Sequence, residues 1–308
     1  MADLFKAYVE DRKQKGKPTR NPEDSWKQLK PHFGTRPVID MKVDDAEGKM
    51  QSRGRTVDIS TAHCLAYAEQ RKADGVAVGT IWTELTMLRT ICNWAAKKVN
   101  PPLIDTPPYI TIPAKPAPKD RWLTHEEAEA LLAAARMHHV RLFIILALTT
   151  AGRAGAILDL TWDRVDFEAG TINLRNPELG ETRKGRALVP MNGMSRPALL
   201  EARAGAQTPY VIEWNAEKVL KIRKGFESAV KRAGLGEDVT PHVLRHTAAV
   251  WMAQAGVPMS EISQYLGHSN EVITARVYAR YSPQHLARAA EALTLPGLRV
   301  VTPLKRRA

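Results

Sequence analysis

The chain is short of several features that would narrow its function in other directions. Among 308 residues there are two cysteines, Cys64 and Cys92, both within helical patterns. Two thiols build neither a disulfide framework nor a cysteine zinc site, and they suit a reducing cytoplasm. The N-terminus, MADLFKAYVEDRK, has no apolar run of the kind that forms a signal peptide. The longest apolar stretch, Val140 to Leu148, is interrupted by Arg141 and is far too short to span a bilayer. Carboxylates do not cluster as two-metal nucleases require, and there is no internal repeat or low-complexity tract. Acidic residues are outnumbered, 33 against 45 Lys plus Arg, for a formal charge of +12. That surplus favours a polyanionic partner, nucleic acid first.

Prolines gather in one place. Residues 100 to 120 read NPPLIDTPPYITIPAKPAPKD. Proline fixes φ and donates no amide, so the stretch cannot be helical and is expected to be an extended tether between two domains, with Lys115 and Lys119 available to a phosphate backbone. Before it, helical periodicity predicts helices over 3–14, 22–32, 60–73 and 78–98, the third burying Ala62, Leu65, Ala66 and Ala68. The polar segment Lys42 to Arg55 has no period and is expected to be a loop. After the tether, Thr124-His125-Glu126-Glu127 has capping-box form and opens a helix through Ala135. A second helix runs from His139 to Thr149. Thr171 to Leu174 and residues 186–191 read as a β-hairpin, with Tyr210 to Glu213 as a third strand. From residue 216 the pattern is helical. The expected class is mainly α with a small antiparallel sheet in the C-terminal domain.

Four segments of that second domain carry chemistry. Arg153 follows Gly152 behind an apolar helix. A buried guanidinium requires an anion or a carboxylate, and Asp159 and Asp163 are the carboxylates at hand. Arg183, Lys184 and Arg186 occupy the hairpin, where an exposed turn is often basic for solubility alone. In Thr240-Pro241-His242-Val243-Leu244-Arg245-His246, threonine and proline stand in N-cap and N1 order. His242, Arg245 and His246 then share one helix face, at an end that already favours anions. Two histidines at i and i+4 also suit zinc, but Arg245 between them and the lack of an accompanying acidic or thiol ligand favour phosphate. Finally, Gly267 is placed to stop a helix before His268, and Tyr278 and Tyr281 follow. Two arginines, a lysine, histidines and a tyrosine together suffice for phosphoryl transfer. Arginines hold the oxygens where charge grows, a tyrosine attacks phosphorus, and a histidine and a lysine move protons.

In order and spacing these motifs resemble the tyrosine recombinase, or phage integrase, family over residues 124 to 293. The match runs through Arg153, the hairpin Lys184, His242-x-x-Arg245-His246, Leu266-Gly267-His268 and Tyr278. The resemblance implies two domains forming a DNA clamp. These are a helical core-binding (SAM-like) domain over 1–100, the linker 101–120, and a catalytic domain over 121–308. It implies that Arg153 and Arg245 hold the scissile phosphate, that His242 takes part in proton transfer with the nucleophile, and that His268 hydrogen-bonds the phosphate. Lys184 would protonate the departing 5′ hydroxyl while Tyr278 becomes linked to the 3′ phosphate. No cofactor or metal is implied. The implied partners are double-stranded DNA at a specific site, a homotetramer spanning two such sites, and accessory DNA-bending factors. Residues 283–293 are the candidate segment for docking on a neighbour. The chain departs from the family where an acidic residue often follows the first arginine by three positions: here it is Ala156, leaving Asp159 to orient Arg153. Arg183 competes with Lys184, and Tyr281 with Tyr278. An arm-site domain before the first helix is expected to be absent or removed. Type IB topoisomerase relaxation and DNA binding by an inactive site are the rival readings.

Overall fold

The computed structural model describes residues 1–44, 50–117, 120–177, 187–268 and 270–282, with residues 287, 290 and 293. The chain divides into two compact units, Met1–Lys119 and Asp120–Ala308.

The first unit is built on helices α1 (Ala2–Gln14), α2 (Arg20–Phe33), α3 (Thr61–Ala73) and α4 (Val78–Lys97). Helix α4 is the central element. Ile81, Leu85, Leu88, Ile91 and Cys92 recur at helical spacing and are fully buried against Leu4, Tyr8, Leu29 and Phe33. Helix α3 turns a different face inward than its alanines suggest: Cys64, Tyr67 and Ala68 are buried, whereas Leu65 is 49% exposed. The reason is polar. The Tyr67 hydroxyl donates to Glu84 at 2.7 Å, and Arg71 donates to both oxygens of the same carboxylate, at 2.8 and 3.2 Å. Satisfying one buried carboxylate orients the helix more strongly than burying one leucine.

One expectation for this unit needs correction. The segment expected to be a loop from Lys42 to Arg55 lies largely in an antiparallel hairpin, β1 (Val38–Asp44) with β2 (Met50–Val57), carrying an irregularity between Asp40 and Lys42. Val38 and Ile39 remain about 40% exposed. Backbone pairing supports such a ribbon without the alternation that marks a half-buried strand. The proline-rich stretch has no regular structure where described, and part of it packs on this unit. Ile104 and Ile110 are buried in its core, Arg55 N–H donates to Asp105 at 2.7 Å, and the Lys115 ammonium sits 5.3 Å over the Trp82 ring.

The second unit opens with the expected capping box: Thr124 Oγ1 accepts from Glu127 N–H at 3.2 Å and Glu127 accepts from Thr124 N–H at 3.0 Å, starting α5 (His125–Ala134). Then come α6 (His138–Thr150), α7 (Ala154–Leu158) and a three-stranded antiparallel sheet of β3 (Val165–Asp166), β4 (Thr171–Asn173) and β5 (Leu188–Pro190). The β4–β5 hairpin matches the expectation. The third strand does not: it precedes the hairpin, while Tyr210 makes an isolated bridge to Thr161. Helix α8 (Ser195–Ala204) follows, then a small ribbon of β6 (Glu213–Trp214) and β7 (Glu217–Lys218), so helix resumes only at α9 (Arg223–Arg232). The unit continues with α10 (Pro241–Gln254), α11 (Met259–Leu266) and α12 (Glu271–Tyr278), the last followed directly by a 3-10 turn over Ala279–Tyr281. Apolar on nearly every side, α6 is the core helix, and α10 packs along it. No helix among the described residues is long and apolar enough to cross a membrane.

Candidate active site

Helix α6 ends at Ala151, a non-glycine residue in the left-handed region (φ 48°, ψ 25°) and fully buried. Such a conformation costs about 1 kcal/mol. Next, Gly152 has no room for a side chain. A Cβ there would stand 2.9 Å from Ile157 and 3.0 Å from Leu174. These two constraints turn the chain sharply, and Arg153 becomes the residue that caps α7.

Opposite, Thr240 and Pro241 start α10 in the expected order, although the Thr240 side chain makes no capping hydrogen bond. One turn in, Arg245 is buried. Its Nη1 donates to Ala151 O at 2.6 Å and its Nη2 to Leu266 O at 2.8 Å. Leu266 closes α11, where Gly267 adopts φ 61° and the amides of Gly267 and His268 return to Gln264 O and Ser263 O at 2.9 Å. The guanidinium is thus seated between the carbonyl ends of two helices, where the helix dipoles favour a cation. The same turn delivers His268, whose Nε2 lies 3.1 Å from Arg245 Nη2 and whose Nδ1 lies 2.8 Å from the buried Thr274 hydroxyl of α12.

An open cleft of about 250 Å³ is lined by Gly152, Arg153, Ala154, Pro241, His242 and Arg245. Its electrostatics disfavour further positive charge. Burial, then the charge of Arg153, lowers Arg245 to about 10, so it stays cationic at neutral pH. Burial, then Arg245 and Arg153, pushes His268 down to about 4. Burial, followed by Arg245, His246 and Arg153, lowers His242 as well. An anion in the cleft would oppose the part of each shift that comes from neighbouring positive charge.

Tyr278 ends α12, 7% exposed, in an apolar cluster with Ala151, Ala248, Ala249 and Leu266. Burial raises its phenol, and the charge of Arg245 opposes that rise. Tyr281 is placed differently: its hydroxyl donates to Asp120, and burial and that carboxylate raise it.

Five of the six residues named from the sequence therefore converge: Arg153, His242, Arg245, His268 and Tyr278. Lys184 and its competitor Arg183 lie outside the described residues. The base of their hairpin does touch the site, since Leu174 and Ala187 line a pocket together with Arg153 and Arg245. Asp159, proposed to orient Arg153, is ion-paired with Lys218 at 2.7 Å. Three residues that the motifs left without a role join the site. The Tyr265 hydroxyl donates to Thr149 O at 2.6 Å, tying α11 to the end of α6. His246 Nδ1 lies 3.3 Å from the Tyr278 hydroxyl, and Asp120 faces the other side of that ring. His246 was visible as a member of the His242–Arg245 face. Asp120 carried no signal, because its position follows from the 120–124 segment lying along α10, where Leu123 N–H donates to Thr247 at 2.9 Å and Leu123 O accepts from the Trp251 indole at 3.0 Å.

Comparison with known proteins shows what the chain is similar to. The model of the phage integrase family matches residues 121–285. The chain is similar to an integrase of Salmonella phage P22, 27% identical over 233 residues, which are 71% of this chain and 58% of the relative. In fold it is similar to the Tn1549 transposon integrase in complex with transposon right-end DNA, with a TM-score of 0.68, 18% identity, and 94% of this chain and 99% of that one covered. It also resembles a lambda integrase in a tetramer bound to a Holliday junction, with a TM-score of 0.67, 16% identity, and 91% and 77% covered.

Proposed function

The chain belongs to the phage integrase family, and on that footing we propose that it cuts and rejoins DNA at a specific site through a covalent link to Tyr278. The observation that carries this reading is the convergence of Arg153 and Arg245, 92 positions apart in sequence, on one cleft beside a buried tyrosine hydroxyl. A phosphodiester in that cleft meets two guanidiniums, whose forked donors match its non-bridging oxygens. They stabilise the charge that grows there in the transition state without needing a metal. His268 and His242 supply further donors from the helix ends. Tyr278 Oη attacks phosphorus, the 3′-phosphotyrosyl bond forms, and the 5′ oxygen leaves with a proton from the hairpin, from Lys184. A 5′ hydroxyl of a partner strand then reverses the step, so no external energy source is consumed.

In this reading residues 1–100 form the core-binding domain, 101–120 the linker and 121–308 the catalytic domain, which close on duplex DNA as a clamp. Four copies act on two sites, as the lambda integrase tetramer on a Holliday junction suggests, in the cytoplasm of a bacterial host. Bending factors assist.

The test is a nicked suicide duplex containing the site mapped by footprinting on DNA flanking its own gene. Wild-type protein and Tyr281→Phe should accumulate a covalent protein–DNA adduct, and Tyr278→Phe should form none. An adduct with Tyr278→Phe would overturn the assignment of the nucleophile. No adduct with the wild type would overturn the reaction.

A further inference from the structure

The Tyr278 phenol is raised by burial, so its proton must be taken by a neighbour as the hydroxyl attacks. The imidazole that meets it is His246, at 3.3 Å through Nδ1, with the two rings 5.3 Å apart. The other nitrogen of His246, Nε2, is buried without a hydrogen-bond partner and faces Asp120 Oδ1 at 3.5 Å. Asp120 is itself held by two residues of the turn after the nucleophile: Arg280 Nη2 lies 2.8 Å away, and the Tyr281 hydroxyl donates to the same oxygen. These contacts, the Tyr281 hydrogen bond first, keep the Asp120 carboxyl below the usual carboxylate range, so it is an anion at neutral pH.

A neutral imidazole carries one proton. On Nε2 it points at a carboxylate and leaves the Nδ1 lone pair to accept from the Tyr278 hydroxyl. On Nδ1 it would set a lone pair against the carboxylate, which is repulsive. We propose that His246 is the general base for Tyr278 and that Asp120 is the positioning residue that fixes its tautomer and stabilises the imidazolium it becomes. This rests on the strand-transfer reading above and assigns the proton on the attacking side, which the motif pattern gave to His242. His242 lines the cleft with both arginines and serves the phosphate. The step balances. The Tyr278 Oη proton passes to His246 Nδ1 as the Oη–P bond forms. The P–O5′ bond breaks with its electron pair on the 5′ oxygen, which takes a proton from the hairpin ammonium. On rejoining, the 5′ hydroxyl attacks phosphorus and gives its proton back to the neutral amine of Lys184, and the imidazolium returns its proton to Oη as the phosphotyrosyl bond breaks. The groups facing His246 are Asp120, Tyr278, Tyr281, Arg280 and, along α10, His242. Burial lowers its pKa while Asp120 raises it, so the neutral base prevails at physiological pH.

The experiment measures single-turnover adduct formation on the nicked duplex above, across pH, for wild type, His246→Gln, His246→Asn, Asp120→Asn and the double variant Asp120→Asn/His246→Gln. DNA binding and thermal melting of each variant confirm folding. Either His246 variant should slow adduct formation by about 100-fold or more, the usual scale of general base catalysis, with DNA affinity nearly unchanged. Asp120→Asn should slow it by about tenfold and shift the acid limb to lower pH, because the imidazole loses its anionic neighbour. The double variant should be no slower than His246→Gln alone, as expected of groups acting as a unit. A 5′-bridging phosphorothiolate, whose thiolate leaves without a proton, should not rescue any of them. If wild type forms adduct and His246→Gln keeps pace, or the phosphorothiolate restores it, the assignment of His246 is wrong. An unmoved pH profile in Asp120→Asn removes Asp120 from the mechanism. If wild type forms no adduct, the strand-transfer reading fails and this assignment goes with it.

Discussion

Arg245 donates to the carbonyl of Ala151 across 94 residues of chain, at 2.6 Å. The contact joins the second turn of α10 to the strained end of α6, and the same guanidinium closes α11 through Leu266. One side chain therefore both lines the cleft and ties three helices together.

Replacing that residue should separate these two roles. Arg245→Ala leaves two buried carbonyls without donors, at about 1–3 kcal/mol each. The melting temperature should fall clearly in a thermal melt, with all adduct formation lost. Arg245→Lys keeps the charge but not the fork. It should recover part of the stability while adduct formation stays at least about 100-fold down.

Stability should depend on pH through His268. Its folded pKa, about 4, lies below the ordinary histidine value of 6.5. Between those values the unfolded chain binds more protons, so the contribution is intact above about pH 6.5 and is lost as pH falls toward 4. His242 and His246 are shifted in the same direction and add to the slope. Melting temperatures measured from pH 7.5 to 4 should fall, and less steeply in His268→Asn. Bound DNA should flatten the profile further, since a phosphate in the cleft favours the charged imidazoles.

Gly152→Ala tests the turn that presents Arg153. The added methyl meets Ile157, Leu174 and the Thr150 hydroxyl at 2.9–3.0 Å. Overpacking of this kind costs about 1–3 kcal/mol. Denaturant unfolding should show that loss. DNA cleavage should fall further than stability explains, because the displaced backbone carries Arg153 away from Arg245. An unchanged unfolding midpoint would mean that the pocket has slack the geometry does not suggest.

In the first unit, Glu84→Ala should be among the most damaging single changes, because it leaves the buried Tyr67 hydroxyl without its acceptor and the partly buried Arg71 with only the longer contact to Asp74. A loss of about 2–3 kcal/mol is expected, below the range for a fully buried pair because Arg71 is partly solvated and keeps Asp74. Tyr67→Phe, which removes one bond to Glu84, should cost about 1 kcal/mol. Guanidinium titration of the two variants measures the difference.

The sequence by itself determined much of this protein. Apolar spacing set α4 and α6, Thr124 with Glu127 and Thr240 with Pro241 marked helix starts, and Gly267 marked a stop, because each acts through neighbours within a few positions. The motif order also drew together Arg153, His242, Arg245, His268 and Tyr278. Tertiary structure decided what depends on distant partners. The β1–β2 ribbon is held by backbone pairing that side-chain pattern does not encode. The inward face of α3 was chosen by Glu84, on another helix. The proline stretch settled on the first unit through Ile104 and Ile110, a packing that no local rule forecasts. Which imidazole meets Tyr278 was decided by how α12 lies against α10, and Asp120 reached His246 only because Leu123 is bonded to Thr247 and Trp251. Local propensity reaches about one turn along the chain, whereas a catalytic proton path is set by tenths of an ångström between segments that the fold brings together.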